Sequence, residues 1–184
     1  MIRKSARRAI DVIDQVRNRR PTDRRDVERW VLAFTGVKVP GQAVCRGHSA
    51  PLDMFARQVL ERPALALWHG PRGSGKSFLS AIDTHMASRF HPRYETRILG
   101  GSLAQSEQIH QALREAVVNG RGPRGESDAG SIARMLKNEV HYRNGSVVSI
   151  LAASATSVRG PHLEFPAGRA PEPQLHRVSA RWVL

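Results

Sequence analysis

Eight consecutive residues, Gly70-Pro71-Arg72-Gly73-Ser74-Gly75-Lys76-Ser77, match the pattern G-x-x-x-x-G-K-[ST] at every fixed position. The chemistry of that spacing is phosphate binding. Gly70, Gly73 and Gly75, with Ser74 between them, let the backbone curl until successive N–H groups face an anion, and a following helix adds the positive end of its dipole. Lys76 is placed to reach the β- and γ-phosphates of ATP, and the Ser77 hydroxyl to ligate Mg²⁺.

Hydrolysis asks for more than a cradle: a second strand ending in an acidic residue for the metal, usually with a glutamate beside it to orient water. No four-residue apolar run followed by Asp-Glu occurs in the chain. Asp83 falls inside a helix, Glu107 and Glu115 on an exposed helical face, and the run Val147 to Leu151 leads into alanines and Ser154. Ser154-Ala155-Thr156 is similar to the S-A-T coupling motif of helicases, but no acidic strand precedes it and the match reads as coincidental. Cys45 and His48 have ligand-like spacing, yet a structural zinc site takes four ligands and no second pair follows.

The elements that must position the loop are legible around it. The apolar run Ala64-Leu65-Ala66-Leu67-Trp68 reads as a buried parallel strand, and residues 76–90 as a helix with Phe78, Leu79, Ile82 and Met86 inward. Upstream, Ile2, Ala6, Ala9, Ile13 and Val16 make one stripe of a basic helix over 1–20, ended by Pro21. A second helix from about Asp23 carries Val27, Trp30, Val31 and Phe34, and Pro51 to Leu60 reads as a third. Downstream, Arg97-Ile98-Leu99 is a second strand. Ser102-x-x-Gln105 caps a helix bearing Ile109, Ala112, Leu113, Ala116 and Val117. Residues 119–130 read as a mobile glycine-rich loop and 131–137 as a short helix. Val140 to Arg143 and Ser146 to Ala152 form a hairpin about a type I′ Asn144-Gly145 turn.

Twenty-nine Lys and Arg against 16 Asp and Glu give the 184-residue chain a formal charge of +13, which points to a polyanionic partner. No apolar run is long enough to span a membrane, and a single cysteine with no export-type N-terminus fits a reducing cytoplasm.

The ordered set of the phosphate loop, Arg97-Ile98-Leu99-Gly100-Gly101-Ser102 with Gln105 and Gln108, Tyr142-x-Asn144-Gly145-Ser146 and Ser157-Val158-Arg159-Gly160 resembles the ATPase domain of the large terminase subunit of tailed bacteriophages. Cys45-x-x-His48-Ser49-Ala50-Pro51 and Phe55 are similar to actinobacterial and prophage members. The resemblance spans residues 24–162. It implies a motor that uses ATP and Mg²⁺ to translocate double-stranded DNA into capsids, as a homo-oligomer on a portal protein with a small terminase subunit, and that carries a C-terminal nuclease domain. By the same resemblance Arg72 contacts the γ-phosphate and Arg159 serves a neighbouring subunit as an arginine finger. The family's adenine-recognising glutamine has no clear counterpart near Pro51.

In relatives an Asp-Glu pair follows the Arg-Gly step, at positions that fall on Arg169 and Ala170 here. If arginine uses its four-codon box, the codons of residues 167–171 read one nucleotide later permit Leu-Asp-Glu-Leu, and a frameshift near 162–166 is the hypothesis for the missing acids. The expected fold is α/β, a P-loop NTPase of the ASCE/RecA-like type with a parallel sheet and flanking helices, incomplete at its C-terminus. Residues 1–50 are expected to form a basic helical extension, 51–160 the ATPase core and 161–184 an irregular, frameshifted tail. The chain then reads as a truncated remnant of the motor with little or no hydrolysis. The alternatives are a small basic P-loop protein that binds nucleotide and nucleic acid without packaging DNA, and a nucleic-acid-binding module whose loop is vestigial. Loss of a central strand is expected to expose apolar edges and favour poor solubility or oligomers.

Overall fold

The structure, a computed structural model, describes residues 13–63, 65–100, 102–123 and 125–152. Within these the fold is mixed α/β: a four-stranded sheet with helices packed against it. Helix α1 covers residues 13–18, with Ile13 and Val16 against the core. Helix α2 (Arg24–Thr35) begins where the Asp23 side chain accepts from the Asp26 N–H, and buries Val27, Trp30, Val31 and Phe34, as its spacing predicts. Helix α3 (Pro51–Glu61) starts on a proline, whose missing N–H is no loss in a first turn.

Helix α4 (Lys76–Phe90) is the centre of the molecule. Its residues Ser80 to Ser88 are all buried, including Ser80, Asp83, Thr84, His85 and Ser88. The predicted inward residues are only part of that set: Ile82 and Met86 are enclosed, while Phe78 and Leu79 are half-buried. An amphipathic stripe underestimates a helix that is covered on every side.

Strand β1 (Glu95–Gly100) pairs in parallel with β4 (Val147–Ala152), Glu95 opposite Val147 and Ile98 opposite Ile150. Between them run α5 (Leu103–Leu113), capped by Ser102 Oγ accepting from the Gln105 N–H, and a continuing π-helical turn, Arg114–Val118. Strands β2 (Ile132–Met135) and β3 (Glu139–Tyr142) complete the order β1-β4-β3-β2.

Four expectations change. The sheet is mixed rather than parallel, because strands joined by the short connections at 136–138 and 143–146 can only run antiparallel. The helix expected over 131–137 is a 3₁₀ turn, Ala129–Ser131, followed by β2, whose pairing with β3 overrides the helical preference of Ala-Arg-Met-Leu. At the hairpin only Gly145 takes a positive φ, 85°, and the Tyr142 N–H reaches Ser146 O at 2.9 Å. That is a three-residue loop closed by a glycine bulge instead of a type I′ turn.

The fourth is the strand before the phosphate loop. Residues 65–68 belong to no ladder, and Leu65 and Leu67 are 86% and 87% exposed. Trp68 turns inward to meet Phe55 edge-on, ring centroids 6.3 Å apart. The segment is apolar and alternates exposed and half-buried positions as a strand would. A parallel strand also needs a neighbour, and the described sheet ends at β1. The first twelve residues, Ser154-Ala155-Thr156, Arg159, Arg169 and Ala170 lie outside the described residues.

Candidate functional site

The loop at residues 70–77 has a defined turn geometry, although among the described residues no strand precedes it. Gly73 and Gly75 both adopt φ of 80°, the left-handed region that side chains disfavour, so the two glycines are what allow the chain to double back before α4. Ser74 N–H closes a turn onto Pro71 O at 3.3 Å. Gly75 is the cap of α4, and the first helical bond runs from the Leu79 N–H to Gly75 O at 2.9 Å. The N–H groups of Lys76, Ser77 and Phe78 therefore stay outside the helical ladder, at the positive end of a fifteen-residue helix.

Lys76 folds back across this loop. Its ammonium donates to Gly70 O at 2.7 Å, to Pro71 O at 2.8 Å and to Ser74 Oγ at 3.3 Å. Three oxygens of the loop thus hold the cation in place. Arg72 is exposed at the loop tip, with Gly73, Ser74 and Gly75 also exposed. Lys76 and Ser77 are half-buried in the first turn of α4. The structure so brings together Gly70, Arg72, Gly73, Ser74, Gly75, Lys76 and Ser77, while Arg159 lies outside the described residues.

The chemistry of these residues is compatible with a polyphosphate: N–H groups outside the helical ladder, a helix N-terminus and the Lys76 ammonium lie in one short loop. For Mg²⁺ they offer the Ser77 hydroxyl, and the phosphates and water would supply most other oxygens, as that ion prefers. Among the described residues no group of three His, Cys, Asp or Glu side chains is placed to hold a metal. Cys45 and His48 simply face each other, Sγ 3.1 Å from Nδ1, in an exposed turn.

A second polar constellation, unseen in the sequence, lies at the other end of α4. His85 is fully enclosed, with Nε2 3.0 Å from Asp128 Oδ2 and Nδ1 3.1 Å from the Tyr142 hydroxyl. With Nε2–H donating to the carboxylate, Nδ1 accepts from the phenol. Burial, reinforced by the Asp128 charge, pushes the Tyr142 hydroxyl above its usual ionisation range, so it remains a donor. Arg89 Nε lies 3.2 Å from Asp128 Oδ2 and Arg17 Nε 4.0 Å from Oδ1. The glycine-rich loop expected to be mobile is thereby pinned through Asp128, which is 3% exposed. The residues that meet here are dozens of positions apart, and no spacing rule joins them.

No helix of the described residues is long and apolar enough to cross a membrane. No protein-family model matches the chain, and no curated protein matches it.

Proposed function

We propose that this chain binds ATP through the loop at 70–77 as the nucleotide-binding part of a terminase-like DNA-packaging motor, of the P-loop NTPase class. The observation that carries the nucleotide half is the loop itself: left-handed Gly73 and Gly75, the free N–H groups at the start of α4, and the Lys76 ammonium held over the opening. The ordered motifs shared with terminase large subunits support the packaging half, with double-stranded DNA, a portal protein, a small terminase subunit and further copies of the chain as partners. In this reading Lys76 and Arg72 meet the terminal phosphates, Ser77 meets Mg²⁺, and Arg159 acts on a neighbour.

The test is nucleotide binding to the whole chain, followed with a fluorescent ATP analogue in the presence of Mg²⁺. Lys76→Ala is expected to weaken binding about tenfold to a hundredfold, the scale of one charge-assisted hydrogen bond to a phosphate. Equal affinity in the variant would remove the loop from the reading. Turnover by the isolated chain is expected to be negligible, since its sequence has no apolar run followed by Asp-Glu. Steady hydrolysis that depends on Lys76 would favour a self-sufficient small P-loop enzyme instead. Portal and capsid genes beside the coding sequence are the expected genomic signature of the packaging half.

A further inference from the structure

Beside the His85 network, the last turn of α4 opens onto a half-open cavity of about 610 Å³. Three of its walls are arginines from separate elements: Arg17 from α1, Arg89 from α4 and Arg143 from the β3–β4 turn. One carboxylate, Asp128, faces them across the floor. It is already engaged with His85 and Arg89, and one negative charge leaves the lining positive.

Each guanidinium makes one hydrogen bond, and those of Arg17 and Arg89 also pair with Asp128, which leaves part of each fork for a ligand. Arg143 gives Nε–H to Gly130 O at 2.8 Å, Arg89 gives Nη2–H to Asn18 Oδ1 at 3.2 Å, and Arg17 gives Nη1–H to Asp14 Oδ1 at 2.8 Å. The buried Nε atoms of Arg17 and Arg89 make no hydrogen bond but face Asp128, 4.0 Å from Oδ1 and 3.2 Å from Oδ2, so it is the Nη groups that are left for a ligand. Ser127 Oγ accepts from the Ala129 N–H, which leaves its own proton to donate. Asn144 belongs to the frame and not to any ligand: its amide donates to the Ser88 and Arg89 carbonyls at 2.7 and 3.1 Å, closing the end of α4.

Planar forks fixed by their own neighbours and lining a half-open cavity suit a tetrahedral oxyanion that takes several donors at once. We propose that this cavity seats a backbone phosphate of duplex DNA, as a contact separate from the phosphate loop. Arg89 lies thirteen residues along α4 from Lys76, about 20 Å away. The contact stands on its own geometry, whether or not the loop takes nucleotide. The large excess of Lys and Arg over Asp and Glu favours a polymeric anion over a small one.

The experiment is fluorescence anisotropy of a labelled DNA duplex with the whole chain, without nucleotide, over a salt series. Arg143 is exposed, so Arg143→Ala leaves the core intact. It is expected to weaken binding about three- to tenfold and to reduce the slope of log K against log salt by about one. Arg143→Lys, which keeps the charge and loses the fork, should fall between. The exposed Arg25 lies outside the cavity, and Arg25→Ala should stay within about twofold of the wild type. Equal losses at Arg25 and Arg143 would show diffuse attraction and overturn the site. A second arm titrates inorganic phosphate and follows the backbone amide resonances of Arg89, Arg143 and Gly145. If phosphate shifts them while Arg143→Ala leaves duplex affinity unchanged, the cavity takes free phosphate and the nucleic-acid assignment fails.

Discussion

Replacing Asp128 with alanine is expected to lower the unfolding free energy by about 3–5 kcal/mol, the cost of breaking a buried ion pair by removing one partner. The carboxylate is 3% exposed and accepts from His85 Nε2 at 3.0 Å, with Arg89 and Arg17 beside it. Without it His85 keeps an N–H with no acceptor in an enclosed site, and two guanidinium groups lose their nearest counter-charge. Urea unfolding of the whole chain, followed by tryptophan fluorescence, reads the effect directly: Trp30 lies 5.5 Å from the His85 ring, centroid to centroid. Asp14→Ala is the contrast, because Asp14 pairs with the same Arg17 at an exposed position and should cost no more than about 1 kcal/mol. A loss at Asp128 as small as that at Asp14 would mean that the network only fills space.

The opposite sign is expected on α4, two residues before His85. Asp83 is 4% exposed, and burial pushes its carboxyl from 3.8 up to about 6, an effect that the nearby Arg62 guanidinium and Gln58 side chain offset only in part. Between those two values the folded protein keeps a proton that the unfolded chain gives up. Stability therefore falls as pH rises through about 4 to 6, and above that window the fold carries a deficit of about 3 kcal/mol. Asp83→Asn removes the charge at nearly constant shape. It should stabilise the protein by up to about 3 kcal/mol at pH 8, with the gain vanishing near pH 3 where both forms are neutral. Thermal melts across that range decide it: a difference that does not vary with pH would show that the charge of Asp83 carries no penalty.

Neither residue declared itself in the sequence. Asp83 was legible only as a carboxylate in a helix, because an i, i+3, i+4 stripe marks one buried face and α4 has no exposed one in its middle. Asp128 sat in a glycine-rich stretch whose composition says loop. Its burial comes from His85, forty-three residues away, and local composition carries no such information. Where structure is set by neighbours in the chain, the reading succeeded. Asp23 and Ser102 cap their helices as their types require, and Val27, Trp30, Val31 and Phe34 share one face.

Pairing was harder to read than placement. Asn144-Gly145 correctly located the hairpin, yet a type I′ turn and a three-residue glycine-bulge loop use the same residues and differ only in which of them takes the positive φ. Leu65 to Trp68 has a strand's composition, but a strand is made by its partner's hydrogen bonds, and composition says nothing about whether one is there. In the loop that follows, the turn was legible at Gly73 and Gly75, whose left-handed φ is a local matter. The arginine-lined cavity was not, because Arg17, Arg89 and Arg143 meet only through tertiary folding.

The enclosure of α4 sets how this segment can vary. A helix with one face in water accepts replacements there at little cost, and its sequence drifts accordingly. From Ser80 to Ser88 α4 has no such face, and the buried set mixes hydroxyls, a carboxylate and an imidazole with apolar groups. Every position must preserve volume, and several must preserve polarity as well. This stretch should therefore be the least substitutable in the domain. Its central amides should be among the slowest to exchange with solvent, opening only when the whole fold opens.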